Sequence, residues 1–230
     1  MHNFLFGIYP YIALSVLVIG SIARYETDPF TWKTSSSQLL RRKQLILGSV
    51  LFHLGILVIF FGHFVGLMTP IQIFDALGIS HSAKQLLAMG AGGIAGVLSL
   101  IGGLLLLHRR LFDSRIRKTS SFADIGILAI IVLQLILGIG TIFVSAQHLD
   151  GHEMTKFMTW TQKIVTFRAG AAEEIADVAL IFKLHMFLGL TIFVLFPFTR
   201  LVHMLSAPIR YVLRPGYQIV RSRRDRKSVV

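Results

Sequence analysis

The run from Leu45 to Met68 narrows what this chain can fold into more than any other stretch. It is predominantly apolar and long enough to cross a bilayer, for which about 20 residues suffice. In hydrocarbon the backbone must satisfy its own hydrogen bonds, so the run is expected to be a helix. His53 and His63 stand inside it, with no charged residue anywhere in the run. An imidazole among lipid tails is costly unless something binds it, so each marks a candidate functional site. A second apolar run, Val178 to Leu205, carries His185 and His203. Four histidines on two spanning helices are what two buried bis-histidine haems need.

Composition supports a membrane chain. Charged residues make up 15% and hydrophobic residues 54%, with a mean hydropathy of +0.70. Soluble domains carry about 25% charged residues. There is no cysteine, which excludes disulfides, covalent haem attachment, thiolate-bound iron–sulfur clusters and cysteine-bound zinc. Haem held by histidine remains open. The net charge of +12 could point to nucleic acid. The basic residues lie in loops between spans, however, so no nucleic acid is expected. Orientation in the membrane and attraction to an acidic partner or membrane lipid account for them.

Taken in order, five spans are expected: residues 4–23, 45–68, 86–107, 125–145 and 178–205. A basic tail, 206–230, follows. The fold class is therefore all-α, a single membrane-embedded bundle. Tyr9, Pro10 and Tyr11 lie near the outer end of the first span. The third span carries Gly92-x-x-x-Gly96, a pattern that suits close helix packing, with room for a porphyrin face as the alternative. In the long connector before the fifth span, Met154, Phe157, Met158, Thr161 and Val165 recur at helical spacing. They predict an amphipathic helix lying on the surface or capping the bundle. His2, His81, His148 and His152 are expected to be solvated, and His108, beside Arg109 and Arg110, to be interfacial.

Eighteen of the 23 Lys and Arg residues fall in the first loop, the third loop and the C-terminal region. The positive-inside rule then gives an outside N-terminus and a cytoplasmic C-terminus. The second and fifth spans run in opposite directions, which pairs His53 with His203 near the cytoplasm and His63 with His185 near the outside. On a continuous helix His185 and His203 are about five turns apart and share a face. Their axial separation, about 27 Å, exceeds the about 15 Å between His53 and His63. Tilt, or a bend at Pro197, must absorb the difference. Haems with two axial histidines have no open position for substrate, so such a pair moves electrons. The competing reading is a transporter whose histidines relay protons, and a b-type visible spectrum separates the two.

Several stretches together resemble the gamma subunit of membrane-bound respiratory nitrate reductase, a diheme cytochrome b. They are Ile8-Tyr9-Pro10-Tyr11-Ile12, Leu51-Phe52-His53, Gly62-His63-Phe64, Leu67-Met68-Thr69-Pro70 and Arg109-Arg110-Leu111-Phe112. Ser145-Ala146-Gln147-His148, Val165-Thr166-Phe167 and the run from Phe196 to His203 complete the set. The likeness covers nearly the whole chain and weakens around Gln72 to Ser82 and beyond Gly216.

The resemblance implies a multi-pass subunit of the bacterial cytoplasmic (inner) membrane that oxidises ubiquinol or menaquinol and releases protons outside. It implies two haem b, the outer held by His63 and His185 and the inner by His53 and His203. Partners would be an iron–sulfur beta subunit and a molybdenum-containing alpha subunit that reduces nitrate to nitrite. A related reductase complex is the alternative. The resemblance places Lys84 at the quinol pocket, where a lysine at a helix end could instead simply snorkel. Gly62 would let a ring approach His63. Arg109, Arg110 and Arg200 are candidates for inner-haem propionates, or serve topology alone. The basic tail is expected to dock the cytoplasmic subunits, or anionic lipid.

Overall fold

The computed structural model describes residues 1–28, 30 and 40–206, and among them no residue is in a strand. The α-helices are α1 (Tyr9–Thr27), α2 (Arg42–Met68), α3 (Ile71–Ala76), α4 (His81–Phe112), α5 (Ser114–Lys118), α6 (Phe122–Ser145), α7 (His152–Val165) and α8 (Leu180–Leu195). Five helical segments are long and apolar enough to cross a membrane: Phe4–Thr27, Arg42–Met68, His81–Phe112, Phe122–Ser145 and Leu180–Phe198. The expected all-α, five-span fold is thus found. The basic tail lies outside the described residues, apart from Ser206.

Local chemistry sets the helix ends. Ser80 caps α4 through the Ala83 N–H, so that helix starts a turn before the expected Leu86. Ser121 and Asp124 form a reciprocal capping box on α6, satisfying two amides that a helix start leaves unpaired. Asp113 ends α4 and caps α5 by accepting from the amides of Arg115 and Ile116.

Two prolines leave carbonyls to be met from elsewhere. Pro10 has no N–H to return to Phe6 O, and the indole of Trp160 donates to that carbonyl at 2.9 Å. Pro70 likewise cannot serve Gly66 O, and Lys84 Nζ donates to it at 3.0 Å.

Neighbouring helices pack in the order α2, α4, α6, α8, α1. The closest approach is α2 on α4. A Cβ at Gly55 would strike Ser99 Oγ and Ala95 O, and one at Gly102 would strike the Phe52 amide nitrogen. Gly92 is different: a Cβ there meets no atom within 4 Å. The expected Gly92 contact is therefore not made, and Gly96, against Ile139 at 3.2 Å, is the partner that packs.

The expected amphipathic helix exists as α7 and caps one end of the bundle. Met158, Trp160 and Ile164 are its buried residues. Val165, placed on the apolar face by spacing alone, is exposed. Gln162 donates to Leu67 O and Thr69 O at the end of α2.

The fifth span is not one continuous helix. α8 stops at Leu195, and 3₁₀ turns follow at Phe196–Phe198 and Arg200–Ser206. The shared-face argument for His185 and His203 therefore does not apply, because His203 lies on the second 3₁₀ turn. Pro197, which cannot donate within a helix, sits in the first.

Candidate functional site: two facing histidine pairs

α2 is the least buried of the five spans, with 11% of its most apolar window inside the fold. His53 and His63 are exposed on it, as are Phe60, Phe61 and Phe64. α2 packs on α4, α4 on α6 and α6 on α8, and the four imidazoles meet across the space between α2 and the fifth span. The rings of His53 and His203 have centroids 6.3 Å apart, and those of His63 and His185 6.2 Å apart. These are the pairs expected from the antiparallel order. They stack along the bundle, His53 and His203 toward the end with Arg109–Lys118 (the basic end) and His63 and His185 toward the opposite, acidic end.

The ring nitrogens are differentiated. His53 Nδ1 donates to Ser49 O at 2.7 Å, His63 Nδ1 to Ile59 O at 2.9 Å, and His203 Nδ1 to Arg200 O at 2.6 Å. A carbonyl can only accept, so Nδ1 carries the proton in each and Nε2 keeps its lone pair. That is the state a metal ligand needs. His185 differs: its buried Nδ1 finds no partner among the described residues. Its ring lies on α6 against Gly138, where an added Cβ would come within 3.0 Å of Cε1. Gln134 Nε2 donates to His185 O at 3.0 Å.

The spacing suits one metal ion between each pair. Two metal–nitrogen bonds of about 2 Å, plus about 1 Å from each nitrogen to its ring centre, come to about 6 Å. Two ligands cannot satisfy a bare ion, and no cluster of three or more ligating side chains occurs among the described residues. A porphyrin iron, whose macrocycle supplies four nitrogens, needs only these two. The donor set and the gap fit haem.

The other candidate residues divide. Lys84 is 6% exposed. Besides Gly66 O, its ammonium meets Met158 Sδ at 2.7 Å and lies 3.9 Å from the centre of the Phe74 ring. It caps the C-terminal end of α2, where a positive charge is favourable, and it does not snorkel to the surface. Gly62 has open space where a Cβ would be.

Arg109 is buried and donates to Leu40 O at 2.6 Å. Arg110 donates to Ser120 Oγ at 2.9 Å, and Arg200 lies 3.5 Å from Asp124. The arginines thus gather at the basic end but not around one point.

Of the remaining histidines, His81 pairs with Asp75 at 3.2 Å, and His148 and His152 are exposed, as expected. His108, at the end of α4, lies within 3.4 Å of Gln44. His2 is not simply solvated: Nε2 is 2.7 Å from Ala172 O, and the ring packs on Phe6. Sequence reasoning missed Arg24, Gln85, Asp124, Gln134 and Trp160. Only the polarity of Gln134 inside an apolar run, and of Asp124 at its edge, could have drawn attention to them.

A family model described as nitrate reductase gamma subunit matches residues 2–223. The chain is 52% identical over 223 residues to respiratory nitrate reductase 1 gamma chain of Escherichia coli (strain K12), covering 97% of this chain and 98% of that one. It is 53% identical over 224 residues to the respiratory nitrate reductase 2 gamma chain of the same organism, with the same coverage. With the nitrate reductase gamma chain of Bacillus subtilis (strain 168) it shares 41% over 219 residues, 95% of this chain and 97% of that one. Matched over residues 2–223 and built of five apolar spans, this inner-membrane chain belongs to the nitrate reductase gamma subunit family and is a membrane subunit of a respiratory nitrate reductase.

Proposed function

We propose that this chain oxidises quinol for its complex, with His63 and His185 as axial ligands of an outer b haem and His53 and His203 of an inner one. The facing imidazoles, about 6 Å apart at their centres with Nε2 bare in three of them, carry this reading. When bound, the haems supply one-electron transfer along the bundle toward the iron–sulfur and molybdenum subunits that reduce nitrate to nitrite.

The chain's own residues hold and exclude. The carbonyls of Ser49, Ile59 and Arg200 fix the ring tautomers, and α7 closes the acidic end against water. The open space at Gly62 admits a flat ring beside His63. A quinol oxygen arriving there would compete with Gly66 O for the Lys84 ammonium. Arg110 and Arg200 are the better placed propionate partners, because Arg109 is fully buried while they are not. The positive loops put the basic end in the cytoplasm, so quinol protons leave on the outside and the partner subunits dock on the inside.

Single alanine variants of the four histidines test the assignment. His63→Ala and His185→Ala are expected to lose one haem and quinol oxidation, and His53→Ala and His203→Ala the other haem and onward transfer. Four variants that keep both haems and full quinol:nitrate activity would refute it.

A further inference from the structure

α1 carries no haem-ligand candidate, yet one face of it grips the segment that presents His203. Arg24 Nη1 donates to Pro197 O at 2.7 Å and to Thr199 O at 2.8 Å. Four residues earlier on the same helical face, Gly20 receives the Pro197 ring: a Cβ at Gly20 would lie 2.8 Å from Pro197 Cγ. The end of the α-helix at Leu195 leaves the carbonyls beyond it short of helical donors, and a guanidinium nitrogen that reaches two of them is a strong, charge-assisted partner. Pro197 and Thr199 are both buried. From α6, the Asp124 carboxylate lies 3.5 Å from Arg200 Nε. The next turn starts at Arg200, whose carbonyl accepts the Nδ1 proton of His203 at 2.6 Å. The bend is therefore fixed from α1 at one end and from α6 at the other, and it delivers the ring to within 6.3 Å of His53.

We propose that Gly20 and Arg24 form a seat for the Phe196–Arg200 bend, making Arg24 a positioning residue for the inner-haem ligand His203. This rests on the ligand assignment proposed above. The seat explains how a segment too long to match α2 as a continuous helix still brings His203 level with His53. It acts through geometry: the donors hold two carbonyls in place, and the missing side chain at Gly20 lets the proline ring come close.

The test uses the intact complex in membranes and reads each haem separately, by optical redox titration and low-temperature electron paramagnetic resonance. Arg24→Gln removes the charged nitrogen that serves both carbonyls, and Gly20→Leu pushes the proline away without touching any charge. Both are expected to shift the inner-haem signal and to weaken haem retention there about tenfold or more, the usual effect of losing a ligand's support. The outer-haem signal should stay as in wild type. Arg24→Lys, which keeps the charge and a multiply donating nitrogen on a shorter, non-planar head, should restore part of the signal. If Arg24→Gln prevents accumulation, Gly20→Ala, whose Cβ already crowds Pro197, gives the same readout more mildly. An inner-haem signal unchanged in Arg24→Gln and in Gly20→Leu, or in Gly20→Ala, overturns the seat. His203→Ala is the control: if it retains both haem signals, the ligand assignment itself falls and the seat falls with it, whereas loss of the inner signal there alone leaves the assignment standing and overturns only the seat.

Discussion

A single nitrogen decides what each imidazole can do. His53, His63 and His203 commit Nδ1 to a carbonyl and leave Nε2 free. None of those acceptors is visible in the sequence, since backbone carbonyls have no letter; the histidines themselves were legible because they interrupt apolar runs. Lys84 was legible only as a cation at a span end. Its burial against Gly66 O, Met158 and Phe74 depends on Pro70 in another segment and on α7 folding over it. Lys84→Ala is therefore expected to have two effects: weaker quinol binding, and a stability loss of about 1–3 kcal/mol for the abandoned carbonyl. Quinol kinetics and thermal unfolding measured on one preparation check both, and unchanged KM would remove Lys84 from the quinol site.

Among elements, α7 shows where periodicity succeeds and fails. Spacing found the helix and Met158, but Trp160 is buried because its indole answers Phe6 O at the start of the chain. Such a contact between residues 154 positions apart has no local signal. Trp160→Phe keeps the ring and removes the donor, so α7 should loosen at a cost of about 1–3 kcal/mol, seen as faster amide exchange across His152–Val165.

A second tie holds α7 through Lys156, whose ammonium meets Asp177 at 2.7 Å and Glu153 at 3.1 Å. Hydrogen bonding to Asp177 raises the Lys156 pKa, and the same bond lowers that of Asp177. A lowered carboxylate contributes above its unfolded value and loses that contribution as pH falls through the folded one. A raised lysine contributes below its unfolded value and loses it as pH rises through the folded one. Protection of α7 should therefore be flat from about pH 5 to about pH 9 and fall outside that range. A midpoint near neutrality would assign the tie to other groups.

For the whole molecule, five spans and an all-α bundle were plain from hydropathy, because lipid permits few alternatives. The break in the fifth span was only hinted at by Pro197. The seat on α1 that fixes it requires Gly20 and Arg24 to meet residues more than 170 positions away. Orientation is expected to follow the basic loops. An alkaline phosphatase fused after Val230 should be inactive and one fused at the N-terminus active, with the reverse pattern inverting the bundle.

The facing pairs make a quantitative demand on the assembled complex, namely the amount of haem b per gamma chain. Pyridine haemochrome analysis of the purified complex should give two per chain, and one in each of the four single-histidine variants. One or none in the wild-type complex, or two surviving in every variant, would contradict the account.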